Sequence, residues 1–172
     1  MSFYLYIMRH AKSDWSVPGM SDFDRPINKR GKKNATRIGL WMVDNNRIPQ
    51  QIISSSALRA RQTTELMSEA FIDVVSDKIL YEEDLYLASL ETLIECIQIY
   101  KINVKSLMLV AHNPGLEQLV NYLLSKSMKS GVKGKTMTTA NLVIFEYPDS
   151  NFDPEVDKGA LIEFIKPKEL GD

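Results

Sequence analysis

Two short, unbroken apolar runs, residues 3–8 and 107–111, constrain the fold of this 172-residue chain more than any other feature. Each is shorter than an ordinary helix and lacks the polar alternation of a strand with one face in water. Runs of this kind are strands covered on both faces. A sheet covered on both faces is mostly parallel, with helices packed above and below it. The rest of the chain has to supply those helices.

Residues 28–45 do so first. Ala35, Ile38, Trp41 and Met42 recur at helical spacing behind Asn28, a capping residue, with Gly31 in the first turn where the backbone calls for close approach. Ile52-Ile53 opens a second strand that ends in Ser54-Ser55-Ser56, and a helix is expected over residues 58–71. Leu80 falls in a third strand. Ser89 caps a helix that places Leu90, Leu93, Ile94 and Ile97 on one stripe. After the strand at 107–111, Asn113 and Pro114 read as an N-cap and first helical residue, followed by Leu116, Leu119, Val120, Leu123 and Leu124. Residues 125–137, rich in Lys, Gly and Ser, read as a mobile loop. Two last strands, at about 142–147 and 160–165, flank a polar turn with Pro148 and Pro154 and form an antiparallel hairpin or edge. The expected fold is a three-layer α/β/α sandwich with a mostly parallel sheet, a single domain over residues 1–172.

Composition narrows the function classes. A net charge of −1 gives no field for nucleic acid, so an anionic substrate must be attracted by a few placed cations. Cys96 is the only cysteine, which excludes a disulfide framework and a Cys-rich zinc site. The apolar N-terminus has no basic residue before it and runs directly into Arg9-His10, so it reads as a strand and not a secretory leader. No stretch approaches the roughly 18 apolar residues of a membrane span. The expectation is a cytoplasmic protein that binds neither nucleic acid nor membrane.

In parallel sheets, ligands bind beyond the carboxyl ends of the strands. There the first strand delivers Arg9 and His10, the second leads into Arg59, and the fourth ends in His112. These are the only two histidines in the chain, and both fall where a strand meets a loop. Such a set suits phosphoryl transfer. Negative charge spreads over three equatorial oxygens in the transition state, and catalysis is largely positioning and charge stabilisation. Guanidinium groups match those oxygens with paired donors. A neutral imidazole can carry the phosphoryl group covalently, while a second can hold another oxygen.

The motifs are similar to those of a known family. Leu5-Tyr6-Ile7-Met8-Arg9-His10-Ala11-Lys12-Ser13 resembles the signature of the histidine phosphatase (phosphoglycerate mutase-like) superfamily, and its Arg-His-Ala-Lys-Ser form resembles the SixA-type phosphohistidine phosphatases. Asp24-Arg25-Pro26-Ile27-Asn28 with Gly31, the segment from Ser54 to Thr63, and Val110-Ala111-His112-Asn113-Pro114 resemble three further motifs in the family's order. The resemblance implies a phosphoglycerate mutase-like fold. It implies His10 as nucleophile, with Arg9, Arg59 and His112 completing a phosphate pocket, and Lys12 and Ser13 near the phosphoryl group or the substrate entrance. Arg25 either touches substrate or pins its own loop. Arg61 reads as a surface ion pair, and Trp15 and Phe23 as rim or packing residues.

Many members of the superfamily protonate the leaving group with a carboxylate after the third strand. Glu82, Glu83 and Asp84 stand there, without the usual surrounding pattern. An imidazole leaving from phosphohistidine needs less acid help than an alkoxide. The expected activity is therefore a metal-independent, cofactor-free phosphohistidine phosphatase acting on phosphorylated protein. The alternatives are a phosphatase for a small phosphoester, with an acid among residues 82–84, and a non-catalytic phosphopeptide-binding module.

Overall fold

Six strands pair into one sheet: β1 (Phe3–Arg9), β2 (Gln51–Ser55), β3 (Ile79–Glu82), β4 (Ser106–Ala111), β5 (Leu142–Tyr147) and β6 (Ala160–Ile165). Their order is β3-β2-β4-β1-β5-β6. The first four run parallel, while β5 lies antiparallel to β1 and β6 antiparallel to β5. The sheet is thus mostly parallel with an antiparallel edge, as the sequence suggested. The computed structural model describes residues 2–124, 136–148, 152 and 159–171.

The unbroken apolar runs have a simple cause. Phe3, Leu5 and Ile7 of β1 point to one face of the sheet, with Ile53, Leu107 and Leu109, and meet α4 (Leu90–Tyr100) and α5 (Gly115–Leu123). Tyr6 and Met8 point to the other face, with Ile52, Met108 and Val110, and meet α1 (Lys29–Asp44) and α2 (Leu58–Ser68). A central strand has no solvent face, so neither set of alternating positions is polar.

The helix starts follow local rules where side chains are free to obey them. Asn28 Oδ1 accepts the Gly31 N–H at 2.8 Å, and Ser89 Oγ accepts the Thr92 N–H at 3.3 Å. Gly31 is needed because a Cβ there would stand 2.5 Å from the Lys12 carbonyl oxygen. The first turn of α1 therefore packs directly on the backbone that follows β1.

Three local expectations need correction. The helix expected over residues 58–71 stops at Ser68; a 3-10 turn, Glu69–Phe71, and the short α3 (Ile72–Val75) follow. Phe71 leaves the helical conformation (φ −143°) and its ring is buried in the core beneath α1 and α2. Asn113 does not cap α5, which starts at Gly115 behind Pro114 without a side-chain cap. Its amide instead donates to Glu117 Oε2 at 3.1 Å and to the Met137 carbonyl at 2.9 Å. Thr136 and Met137, expected in a mobile loop, are buried; the remainder of that loop, residues 125–135, and the Pro154 turn lie outside the described residues. Among the described residues, no helix is long and apolar enough to cross a membrane.

Candidate active site

Strand register brings the two histidines together. β1 and β4 are parallel neighbours with Arg9 opposite Ala111, so the next residue on each, His10 and His112, leaves the same edge side by side. Their ring centroids lie 5.0 Å apart. The His10 N–H donates to the Ala111 carbonyl at 3.1 Å, and the Ala140 N–H reaches the carbonyls of Arg9 and His10 at 3.1 and 3.2 Å. β2, on the far side of β4, ends in Ser55, and the first turn of α2 carries Arg59. Sites separated by a hundred residues of chain thus share one edge.

His10 Nδ1 lies 2.8 Å from the Ala11 carbonyl oxygen. A carbonyl only accepts, so Nδ1 carries the proton and Nε2 keeps its lone pair. Arg59 Nε donates to that Nε2 at 3.3 Å. Burial lowers the His10 pKa to about 4, against the Ala11 hydrogen bond and with help from the charges of Arg59 and Arg9. Burial likewise takes His112 down to about 3, followed by the influence of His10 and Arg59. Both rings are neutral at pH 7. His112 Nε2 is 2.8 Å from Ser55 Oγ, while its Nδ1 is buried with no hydrogen-bond partner among the described residues. Thr63 Oγ1 accepts the Ala11 N–H at 2.9 Å and donates to the Arg59 carbonyl at 2.6 Å. One hydroxyl so ties the backbone after His10 to the helix that carries Arg59.

These groups open onto a cleft of about 350 Å³ lined by Arg9, His10, Arg59 and His112, and also by Lys12, Ser13 and Trp15. Arg9 Nη1 donates to the Met137 carbonyl at 3.0 Å, which leaves its Nε buried and unpartnered. Arg25 is the expected site residue that the structure does not bring to the lining. Its guanidinium stacks 3.7 Å from the Trp15 ring centre and donates to the Asp14 carbonyl at 3.2 Å. Arg25 therefore pins its own loop and, through it, the Trp15 ring at the cleft mouth. Phe23 packs edge-on against Tyr86, and Arg61 stacks over Tyr81.

Glu82, Glu83 and Asp84 also stand outside the cleft lining. Glu82 accepts the Tyr100 hydroxyl from α4, and the other two are exposed. The carboxylate that lines the cleft is Asp22, which sequence reasoning missed. Its Oδ2 accepts from Tyr86 Oη at 2.7 Å and from Arg59 Nη2 at 3.0 Å, and its carbonyl accepts from Arg59 Nη1. The Tyr86 hydrogen bond, and then the Arg59 charge, hold the carboxyl below the usual range despite some desolvation. No local signal separates Asp22 from Asp24, whose carboxylate meets Ser21 instead.

A sequence profile of the histidine phosphatase superfamily (branch 1) matches residues 5–101, more than half the chain. The chain belongs to the histidine phosphatase superfamily. Within it, this histidine phosphatase is similar to a crystal structure from Agrobacterium tumefaciens assigned as the phosphohistidine phosphatase SixA: TM-score 0.82, 31% identity, 96% of this chain and 98% of that one. A SixA protein histidine phosphatase complexed with tungstate shares the fold, with TM-score 0.78, 19% identity, and 98% and 100% coverage. An uncharacterized protein of Mycobacterium tuberculosis is 32% identical over 165 residues, 94% of this chain and 100% of its own. The histidine phosphatase described here is of the SixA type, a phosphatase with a phosphorylated substrate.

Proposed function

We propose that this phosphatase hydrolyses phosphohistidine on a protein through a covalent phosphohistidine on His10. The observation that carries the reading is the His10 ring itself: Nδ1–H held by the Ala11 carbonyl, Nε2 unprotonated and facing the cleft beside Arg59. Nε2 attacks phosphorus in line, and the Arg59 N–H that it accepted turns to a phosphoryl oxygen. Arg9, Arg59 and His112 hold the equatorial oxygens. A phosphoryl oxygen would also give the buried His112 Nδ1 the partner it lacks, relieving a cost of about 1–3 kcal/mol.

The same hydrogen bond prepares the second step. Phosphorylated His10 bears phosphorus on Nε2 and a proton on Nδ1, so the ring is a cation and leaves as neutral imidazole when water attacks phosphorus. The Ala11 carbonyl keeps that proton in place. The charges of Arg9 and Arg59 neutralise the phosphoryl oxygens, so the reading calls for no metal or cofactor. Asp22, the carboxylate in the cleft, is held ionised and has no proton for a leaving alkoxide at pH 7. That supports a leaving imidazole over an ester, and the open cleft suits a side chain presented on a protein surface.

The test compares wild type and His10→Ala on a phosphohistidine-bearing protein and on p-nitrophenyl phosphate without metal. Wild type should release phosphate faster from phosphohistidine than from the ester, and His10→Ala should fall to background on both while keeping its circular dichroism. Faster ester hydrolysis would indicate a small-molecule phosphatase. Inactivity on both substrates with measurable phosphopeptide binding would indicate a binding module.

A further inference from the structure

Asp22 has a task of its own in this cleft, and the inference rests on the phosphohistidine reading above. Phosphohistidine hydrolysis begins as a transfer between two imidazoles of the same chemistry. On the enzyme side, the Ala11 carbonyl accepts the N–H of the ring nitrogen that does not bond phosphorus. The substrate ring needs an equivalent acceptor, because it leaves readily only when its distal nitrogen is protonated. Asp22 is the carboxylate that lines the cleft among the described residues.

The placement fits that use. One guanidinium links the attacking nitrogen to the carboxylate: Arg59 Nε is 3.3 Å from His10 Nε2, and Arg59 Nη2 is 3.0 Å from Asp22 Oδ2. Tyr86 Oη, at 2.7 Å, donates to the same oxygen. Oδ1 makes only a long ion pair, 3.9 Å from Arg25 Nε, and the side chain as a whole is 45% exposed. Two hydrogen-bond donors hold Oδ2, whereas Oδ1 accepts no hydrogen bond from either of them and is the oxygen with capacity for a substrate N–H. The phosphoryl groups of the two substrate classes carry similar charge, so a carboxylate discriminates at the leaving group: a protonated ring offers it an N–H, and an alkoxide offers none.

We propose that Asp22 is a specificity-determining residue that accepts the distal ring N–H of phosphohistidine and selects a leaving imidazole over a leaving alkoxide. In the step it assists, the substrate P–N bond breaks with its electron pair returning to the ring nitrogen, and the P–Nε2 bond to His10 forms. The proton stays on the distal nitrogen, so histidine leaves neutral and Asp22 exchanges no proton.

The experiment uses the full chain with free phosphoimidazole and p-nitrophenyl phosphate, which need no protein docking. Asp22→Asn keeps the side-chain shape and removes the charge. Its kcat/KM should fall at least tenfold on phosphoimidazole and change by a far smaller factor on the ester. Asp22→Glu should restore part of the phosphoimidazole rate. Tyr86→Phe, which loosens the carboxylate without removing it, should shift the ratio of the two substrates the same way by a smaller factor, and provides the reading if Asp22→Asn folds poorly. An equal loss on both substrates would mean that Asp22 only positions Arg59, and an unchanged ratio would overturn the inference as well. Wild type active on the ester but not on phosphoimidazole would sink the phosphohistidine reading itself, an outcome visible before any substitution is made.

Discussion

At the residue scale, the two histidines show how burial sets function and stability together. His10 and His112 have pKa values lowered to about 4 and about 3, while an unfolded chain protonates both near pH 6.5. Because the folded values are the lower ones, the unfolded state binds more protons between them, and stability is lost as pH falls. Between pH 6.5 and 5, where ordinary carboxylates stay ionised, the loss should be roughly 1–2 kcal/mol for each ring. Urea melts across that range check this, and replacing both histidines by Asn should flatten the slope; an unchanged slope would contradict the assignment. The residues around them were unequally legible. Arg9, His10 and His112 stood out because rare or charged side chains ended apolar strands, and Arg59 because the second strand leads into it. Asp22 did not, since its partners Arg59 and Tyr86 lie 37 and 64 residues away in sequence.

Elements carry their own constraint at Gly31. In an exposed helix, Gly→Ala ordinarily stabilises by up to about 1 kcal/mol. Here the added Cβ meets the Lys12 carbonyl oxygen at 2.5 Å and the Ile27 Cβ at 3.1 Å. Gly31→Ala should therefore destabilise by about 1–3 kcal/mol, the usual cost of overpacking, and denaturant melts decide the sign. Its KM should also rise, because the same contact positions the backbone between His10 and Ser13. The glycine was suspicious in the sequence, whereas its neighbour was not knowable from it. Asn113 taught the reverse: a capping residue in a capping position served instead as a tether to Glu117 and Met137. Local preference of about 1 kcal/mol yields when long-range partners offer two hydrogen bonds.

For the whole molecule, the strand order decides what the site can hold. β4 lies between β1 and β2, so the carboxyl ends of three strands distant in sequence open onto one cleft. An oxyanion held there binds only the folded state. Vanadate at a hundred times its Kd should add about 2.7 kcal/mol, raising Tm by roughly 5–10 °C for a chain of this size. Arg59→Ala should abolish most of that rise in a thermal shift measurement; a full rise in the variant would remove Arg59 from the oxyanion site. The sequence by itself determined the layers, the parallel sheet with its antiparallel edge, and five of the charged or imidazole groups at the cleft, Lys12 among them, because strand periodicity and the residues around strand ends are local patterns. Only the tertiary structure decided that Arg25 braces Trp15, that residues 82–84 face away, and that Asp22 enters the cleft. Those outcomes depend on which distant groups meet across loops, and no spacing along the chain encodes such a meeting.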